Sequence, residues 1–302
     1  MNLRKDHLDG LAIGCLLGLS LFWGFQQSLV RWTIPFVPPV FQVSIRFALA
    51  CVCILLWCRH KGIALFERDG SGRAGILAGL LFALEFGTLY PALKLAPAAQ
   101  VTVFLYTSPL WVALVVPWVV QSERLNLRQW AGLILAFAAL ANALWKDVVG
   151  SGDLWGQGLG NALALMAGLS WGLTTVVIRT MGLVRISPEK ILFYQVGTSA
   201  LVLPFVSLAL GETWVLPTGT LVWGSLLMQS LGGAFLSYLI WMWMLTRYPA
   251  TLLSAFVFLT PVFAALLGVG LFGETLGFAH GLALVGVTLG IVLVNWPKPT
   301  RA

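Results

Sequence analysis

Residues 20–32 read SLFWGFQQSLVRW, and residues 168–180 read GLSWGLTTVVIRT. Both stretches are apolar, both carry Trp-Gly, and both place an arginine eight residues after the tryptophan. The first copy holds two adjacent glutamines, Gln26 and Gln27, where the second holds Thr174 and Thr175. An apolar run of membrane length that returns in altered form half a chain later points to a duplicated helical membrane protein.

Composition agrees. The 302-residue chain is 59% hydrophobic and only 10% charged, with a mean hydropathy of +0.91. A soluble protein of this length needs more polar surface, so the class is integral membrane. The net charge of +7 comes from basic residues in short gaps between apolar runs, which report membrane topology rather than nucleic-acid binding. Cys15, Cys51, Cys53 and Cys58 fall in the first two runs and read as small membrane hydrophobes, so no metal or other cofactor is expected. The opening MNLRKDHLDG leads into a first span rather than a cleaved signal peptide.

A bilayer core takes about twenty apolar residues per helix. Ten runs qualify: 11–30, 38–58, 74–93, 97–120, 128–145, 156–178, 191–210, 220–245, 249–272 and 276–296. Backbone polar groups cannot stay open in lipid, so each run is a helix and the expected fold is all-α with ten transmembrane helices. A cytoplasmic N-terminus leaves Arg31, Lys94 and Lys146 outside. It collects Arg4, Lys5, Arg59, Lys61, Arg68, Arg73, Arg124, Arg128, Arg179, Arg185, Lys190, Arg247, Lys298 and Arg301 inside. That bias puts both termini in the cytoplasm.

The echo extends along the chain. Pro97-Ala98 and Pro109 return as Pro249-Ala250 and Pro261, and Glu123-Arg-Leu as Glu274-Thr-Leu. Residues 1–147 and 148–302 therefore read as two five-helix repeats, and an odd number of spans turns the second upside down. Secondary transporters use this plan, with the substrate near the bilayer midplane. Trp23 and Trp171 each lie about 12 Å along the helix from their arginine, so both fall near the centre of a core about 30 Å thick.

Trp23-Gly24 and Trp171-Gly172, Arg46 in the second span, Pro109 and Pro261, and the acidic residue opening each last hairpin resemble the drug/metabolite transporter superfamily. The resemblance is to its ten-helix exporters built from two EamA-like repeats, and it covers essentially the whole chain. Ser122 departs from the glycine usual before Glu123, and Ser199 stands where a second-half partner of Arg46 would be. Within the superfamily the chain most resembles the bacterial aromatic amino acid exporter branch.

Two charges lie deep in spans, Arg46 and Glu85, each about 12–14 Å below the outer surface by helix rise. Intramembrane charges mark functional sites by default. One reading makes Arg46 and Glu85 a structural ion pair; another has Glu85 sense protons or hold the ammonium of a zwitterionic substrate. Gln26 is favoured over Gln27 as cavity-lining. Thr175 and other span hydroxyls serve packing or line the path. His280 reads as structural. Most tryptophans, such as Trp145, Trp155 and Trp296, sit at span ends as an interfacial belt. Trp23, Trp111, Trp171 and Trp241 lie deeper, and with Tyr90, Phe104, Tyr106 and Tyr238 could wall a cavity that stacks flat substrates. Pro97, Pro109, Pro249 and Pro261 occupy spans 4 and 9, and the pair Pro109 and Pro261 reads as passive curvature or as a hinge.

No phosphate-binding loop, metal cluster or soluble domain suggests an enzyme. The expectation is a monomeric, multi-pass secondary transporter of a bacterial inner membrane. Its partners are a small molecule and the lipid bilayer, not nucleic acid. Export of amino acids with aromatic or bulky apolar side chains is the function the resemblance implies, by alternating access around a midplane cavity. Efflux of drugs or aromatic cations, and a lipid flippase or assembly factor, are the alternatives.

Overall fold

The computed structural model describes residues 5–144, 157–272 and 278–296. The expected junction at 147/148, Trp145, Lys146, Trp155, Glu274, Arg4, Lys298, Arg301 and the side chain of His280 lie outside the described residues.

All regular structure among the described residues is helical. The first three spans are the unbroken helices α1 (Gly10–Thr33), α2 (Pro39–Lys61) and α3 (Gly72–Leu95). Asp9 opens α1 by accepting from the Ala12 amide at 2.9 Å, and Gly62, at φ 67°, closes α2 in the left-handed conformation that glycine tolerates. The fourth span is α4 (Ala98–Leu105) followed by α5 (Ser108–Val119). A reciprocal cap between Asn126 and Gln129 starts α6 (Leu127–Ala143).

The second half repeats this order with α7 (Gly158–Thr180) and α8 (Pro188–Ala209). Its third span joins α9 (Thr220–Leu227), a π-helical segment (Met228–Ser237) and α10 (Tyr238–Arg247). Then come α11 (Ala250–Phe256), α12 (Leu259–Phe272) and α13 (Phe278–Asn295). Eight spans are long and apolar enough to cross a membrane, and α6 and α13 supply two shorter apolar helices. The chain is an all-helical membrane protein of ten spans.

Spans 4 and 9 break at matching places. Pro109 has no N–H for the Leu105 carbonyl and its ring collides with that turn, so the helix is interrupted at Tyr106–Thr107. Pro261 does the same to Val257, with the interruption at Val257–Phe258. Carbonyls near each break find side-chain donors: Thr107 Oγ1 donates to Phe104 O at 2.7 Å, and Ser20 Oγ to Phe256 O at 3.2 Å. Pro97 and Pro249, expected inside these spans, instead cap the starts of α4 and α11, where a missing N–H is harmless.

Packing follows the duplication. Helix α1 lies against α12 and α7 against α4 and α5, while α2 pairs with α8 and α6 with α13, so exchanging the halves maps these neighbours onto one another. The Trp-Gly glycines explain the closest crossings. A Cβ on Gly24 would stand 2.8 Å from Ala264 N and 3.0 Å from Thr260 O. One on Gly172 would stand 2.7 Å from Trp111 Cβ and 3.1 Å from Ser108 O. Each repeat's first helix thus meets the broken helix of the other repeat at backbone distance, which only glycine permits.

At the end of the bundle where α1, α3 and α8 begin, ionic ties join the halves. Lys190 Nζ donates to Asp69 Oδ2 and Glu67 O, both at 2.8 Å, and Tyr248 OH donates to Asp9 Oδ1 at 3.0 Å. Lys190 and the Ser71 hydroxyl and amide hold the Asp69 carboxyl well below the usual carboxylate range. A depressed carboxyl contributes stability above its unfolded value, about 3.9, and loses it as pH falls through the lower folded value. Thermal unfolding is therefore expected to show a deficit for Lys190→Met at neutral pH that shrinks as pH drops below about 4. A deficit unchanged in acid would refute this ionic role.

Candidate functional site

One cavity of about 510 Å³ runs down the interface of the two halves. Its mouth is lined by Arg31 and Ala98, which are exposed, and its floor by Ile178, Gln195 and Met242, which are buried. The floor lies toward the end where α3 and α8 begin.

The wall is aromatic and drawn from both halves. Trp23 meets Trp241 edge-on at 5.5 Å between ring centroids and Tyr238 at 6.1 Å. Across from it Trp171 meets Tyr106 at 5.9 Å. Polar tips fix these rings: Trp23 Nε1 donates to Ser237 Oγ at 2.9 Å, and Gln27 Nε2 to Tyr106 OH at 3.0 Å. Such edge-to-face pairs suit rings with positive edges and negative faces, and leave open faces for a flat ligand.

Arg46 enters from α2 and is 2% exposed. Its Nη2 donates to Tyr238 OH at 3.0 Å. With its carbonyl turned toward Arg46, Gln26 accepts from Nη1 at 2.8 Å and Nη2 at 3.2 Å. The rings of Phe47, Phe86 and Tyr238 lie 5.1, 5.3 and 5.8 Å from the guanidinium carbon, within cation–π range. The π-helical segment makes this possible, because a Cβ on Gly233 would overlap the Gln26 amide. Unwinding there brings a bare backbone where Gln26 must sit, a recurring use of π-helix at functional sites.

Glu85 lines the same cavity from α3 and is 5% exposed. The expected Arg46–Glu85 ion pair does not close: among the described residues the salt bridges are Lys5–Asp9, Lys94–Glu212, Arg179–Glu123 and Lys190–Asp69. Similar depth along two helices did not bring the groups into contact, because Gln26 and Tyr238 hold the guanidinium. Glu85 Oε2 and Arg46 Nε are buried and without partners. Unpaired buried polar atoms are costly, and in a cavity they mark what a ligand can satisfy.

The structure brings together Trp23, Gln26, Gln27, Glu85, Tyr90, Tyr106, Trp171, Thr175, Tyr238 and Trp241, as expected from the sequence. Both glutamines line the cavity, Gln26 buried and Gln27 exposed. Phe104 does not join them. It packs between helices against Ala92, Ala96, Val101 and Ala164, because hydropathy alone does not tell which face of a membrane helix turns to the cavity. Trp111 also stays out, its backbone side wedged on Gly172.

Two features went unread in the sequence. Gln195 on α8 lines the floor, 1% exposed, with Oε1 unpartnered. Its signal was the one that flagged Gln26, an amide within an apolar run. Beyond the floor, Arg179 and Glu123 form a hydrogen-bonded ion pair with side chains 0% and 1% exposed. Arg179 Nη1 donates to Leu245 O at 3.1 Å, and the Thr251 amide donates to Glu123 Oε2 at 3.1 Å. This clasp closes the bundle at the end opposite the mouth. Glu212 ties the mouth end, accepting from the amides of Val40 at 3.2 Å and Phe41 at 2.8 Å and from Lys94 at 3.3 Å.

Comparison with known proteins matches residues 10–145 and 158–296 to the EamA-like transporter family, two copies in one chain. An uncharacterized inner membrane transporter of Escherichia coli strain K12, YedA, is 25% identical over 94% of this chain and 90% of its own. A WAT1-related chloroplastic protein of Arabidopsis thaliana is 26% identical over 94% of this chain and 69% of its own. An uncharacterized transporter of Archaeoglobus fulgidus is 23% identical over 96% and 97%. A protein of known crystal structure superposes with a TM-score of 0.78 at 21% identity, covering 94% of this chain and 96% of that one, which supports the fold.

Proposed function

Because the chain belongs to the EamA-like transporter family, we propose that it exports amino acids with aromatic or bulky apolar side chains across a bacterial inner membrane. The protein is a membrane transporter and not an enzyme. The proposal adds the substrate class, the direction and a mechanism of alternating access.

One observation carries the substrate class. Arg46 and Glu85 are buried in one aromatic-walled cavity, and each keeps a polar atom without a partner. A zwitterion satisfies both, its carboxylate toward Arg46 Nε and its ammonium toward Glu85 Oε2. The rings of Trp23, Tyr238 and Trp241 on one side and Tyr106 and Trp171 on the other then flank its side chain. The volume of about 510 Å³ lies in the range of small-molecule sites. A guanidinium in the same space disfavours a cationic drug.

Charge bias supports the orientation. Basic residues such as Arg73, Arg124, Arg185 and Arg247 cluster at the clasped end, whereas Arg31 and Lys94 flank the mouth. By the positive-inside rule the clasp is cytoplasmic and the cavity opens outward. Rocking of the repeats about the breaks at Pro109 and Pro261 would open the clasp and close the mouth.

Counterflow in proteoliposomes tests the reading, with labelled phenylalanine, tryptophan, threonine and methyl viologen. Accumulation of the two aromatic amino acids is expected. Hydrogen bonds to charged groups contribute about 1.5–3 kcal/mol, so Arg46→Met and Glu85→Gln should each weaken uptake about 10- to 100-fold. Uptake of methyl viologen alone, or of none of the four, sinks the proposal.

A further inference from the structure

We propose that Gln195 is a specificity-determining residue that reads the far edge of an aromatic ligand, accepting a hydrogen bond from a ring O–H or N–H. It rests on the reading above, in which the cavity holds an aromatic amino acid by its charged head.

Gln195 lies deeper than that head group. Helices α3 and α8 run side by side and in the same direction. A Cβ on Gly79 would strike the Tyr194 carbonyl and the Thr198 side chain, while one on Gly87 would stand 3.7 Å from Leu203. Gln195 is thus level with Gly79, six residues before Glu85 and about 9 Å nearer the clasp. That offset is of the order of an aromatic amino acid's length, so a ligand anchored at Arg46 and Glu85 reaches the floor with the tip of its ring.

The floor offers that tip little else that is polar. Ile178, Met242 and Phe82 are apolar and buried. The hydroxyls of Thr174 and Thr175 donate back to the carbonyls of Ser170, at 2.8 Å, and Trp171, at 3.4 Å, within their own helix. Gln195 differs from them: its Oε1 is buried and has no partner. An amide kept unsatisfied in an apolar floor discriminates in one direction. A ligand with a donor at its far edge satisfies it, and the same ligand without the donor leaves it stranded. Sites built to bond a substrate hydroxyl reject the analogue lacking it far more strongly than apolar pockets reject an added methylene. Tyrosine, with a phenolic O–H, and tryptophan, with an indole N–H, should therefore be preferred over phenylalanine.

The test uses the full chain in proteoliposomes, with labelled tryptophan counterflow competed by tyrosine or by phenylalanine. In the wild type, half-inhibition is expected at a tyrosine concentration at least about tenfold below that of phenylalanine. Gln195→Leu should bring the ratio of the two half-inhibition concentrations close to one, because neither ring then meets an acceptor at the floor. Equal competition by both in the wild type, or a ratio that survives Gln195→Leu, overturns the inference while leaving the aromatic amino acid reading in place. Absence of uptake for every aromatic amino acid overturns that reading, and this inference with it. Should Gln195→Leu fail to fold, Gln195→Met in the same assay and a thermal-shift series of the wild type with the two amino acids decide in the same terms.

Discussion

Glu123→Ala is expected to lower the stability of the protein by about 3–5 kcal/mol, the usual effect of stranding one partner of a buried ion pair. The site has the features that make this figure apply. Both side chains are essentially without solvent contact, at 0% and 1% exposure. The carboxylate also accepts the Thr251 amide at the start of α11, so its removal uncaps that helix and leaves the Arg179 guanidinium facing apolar neighbours with only the Leu245 carbonyl at 3.1 Å. Glu123→Gln keeps the shape and part of the hydrogen bonding and should have a smaller effect. The double variant Glu123→Ala with Arg179→Met removes both charges and should recover much of the loss, since a strongly coupled pair is not additive. Detergent-solubilised protein, unfolded by heat or denaturant, gives the four values of this cycle. Additive effects would mean that the two groups do not stabilise each other.

Gly24→Val and Gly172→Val form the second large effect. Even the first carbon of the new side chain would stand 2.8 Å from a backbone nitrogen at position 24 and 2.7 Å from the Trp111 Cβ at position 172. Backbone cannot swing aside as a flexible side chain does, so the helices must separate, and overpacking of a dense interface costs about 1–3 kcal/mol or more. Gly18, on the same helix as Gly24, supplies the control. A Cβ there meets nothing within 4 Å. Gly18→Ala should therefore be neutral or stabilising by about 0.5–1 kcal/mol through helix propensity alone. Melting temperatures of the three variants decide the matter. A Gly24→Val protein as stable as Gly18→Ala would show that the close crossing has no energetic role.

Much of the architecture was legible in the sequence because bilayer thickness and the period of apolar runs leave few choices. Ten spans, the duplicated Trp-Gly and the breaks before Pro109 and Pro261 all rest on such strong local rules. The π-helical segment was not legible: its GG pair at 232–233 signals a weak point in a helix but not the direction of unwinding. The cavity wall was partly legible, since deep aromatics in matching positions of two repeats converge. Phe104 shows the limit. Its neighbours are apolar on every side, so nothing in the pattern separates a cavity face from a helix-packing face. Arg46 and Glu85 show another, because helix rise fixes depth and says nothing about azimuth. Gln195 was readable by the same rule as Gln26, an amide within an apolar run, and stands seven residues after Pro188 as Arg46 stands seven after Pro39.

The contact between α6 and α13 carries a consequence for how a ligand is seated. A Cβ on Gly132 would stand 2.6 Å from Gly290 O, and one on Gly290 would stand 2.5 Å from Gly132 O. This reciprocity is the mark of an isologous interface, the kind that relates two copies in a homodimer. The chain is built like a dimer whose subunits have been joined end to end, and joining frees the subunits to diverge. Among the described residues, every charged side chain lining the cavity, Arg31, Arg46 and Glu85, comes from the first half. A true homodimer would present each charge twice, across its axis, and a ligand could bind in two opposite poses. Here the scaffold keeps its near-symmetry while the lining of the cavity is asymmetric about that axis, so the proposed function carries the expectation of a single ligand orientation.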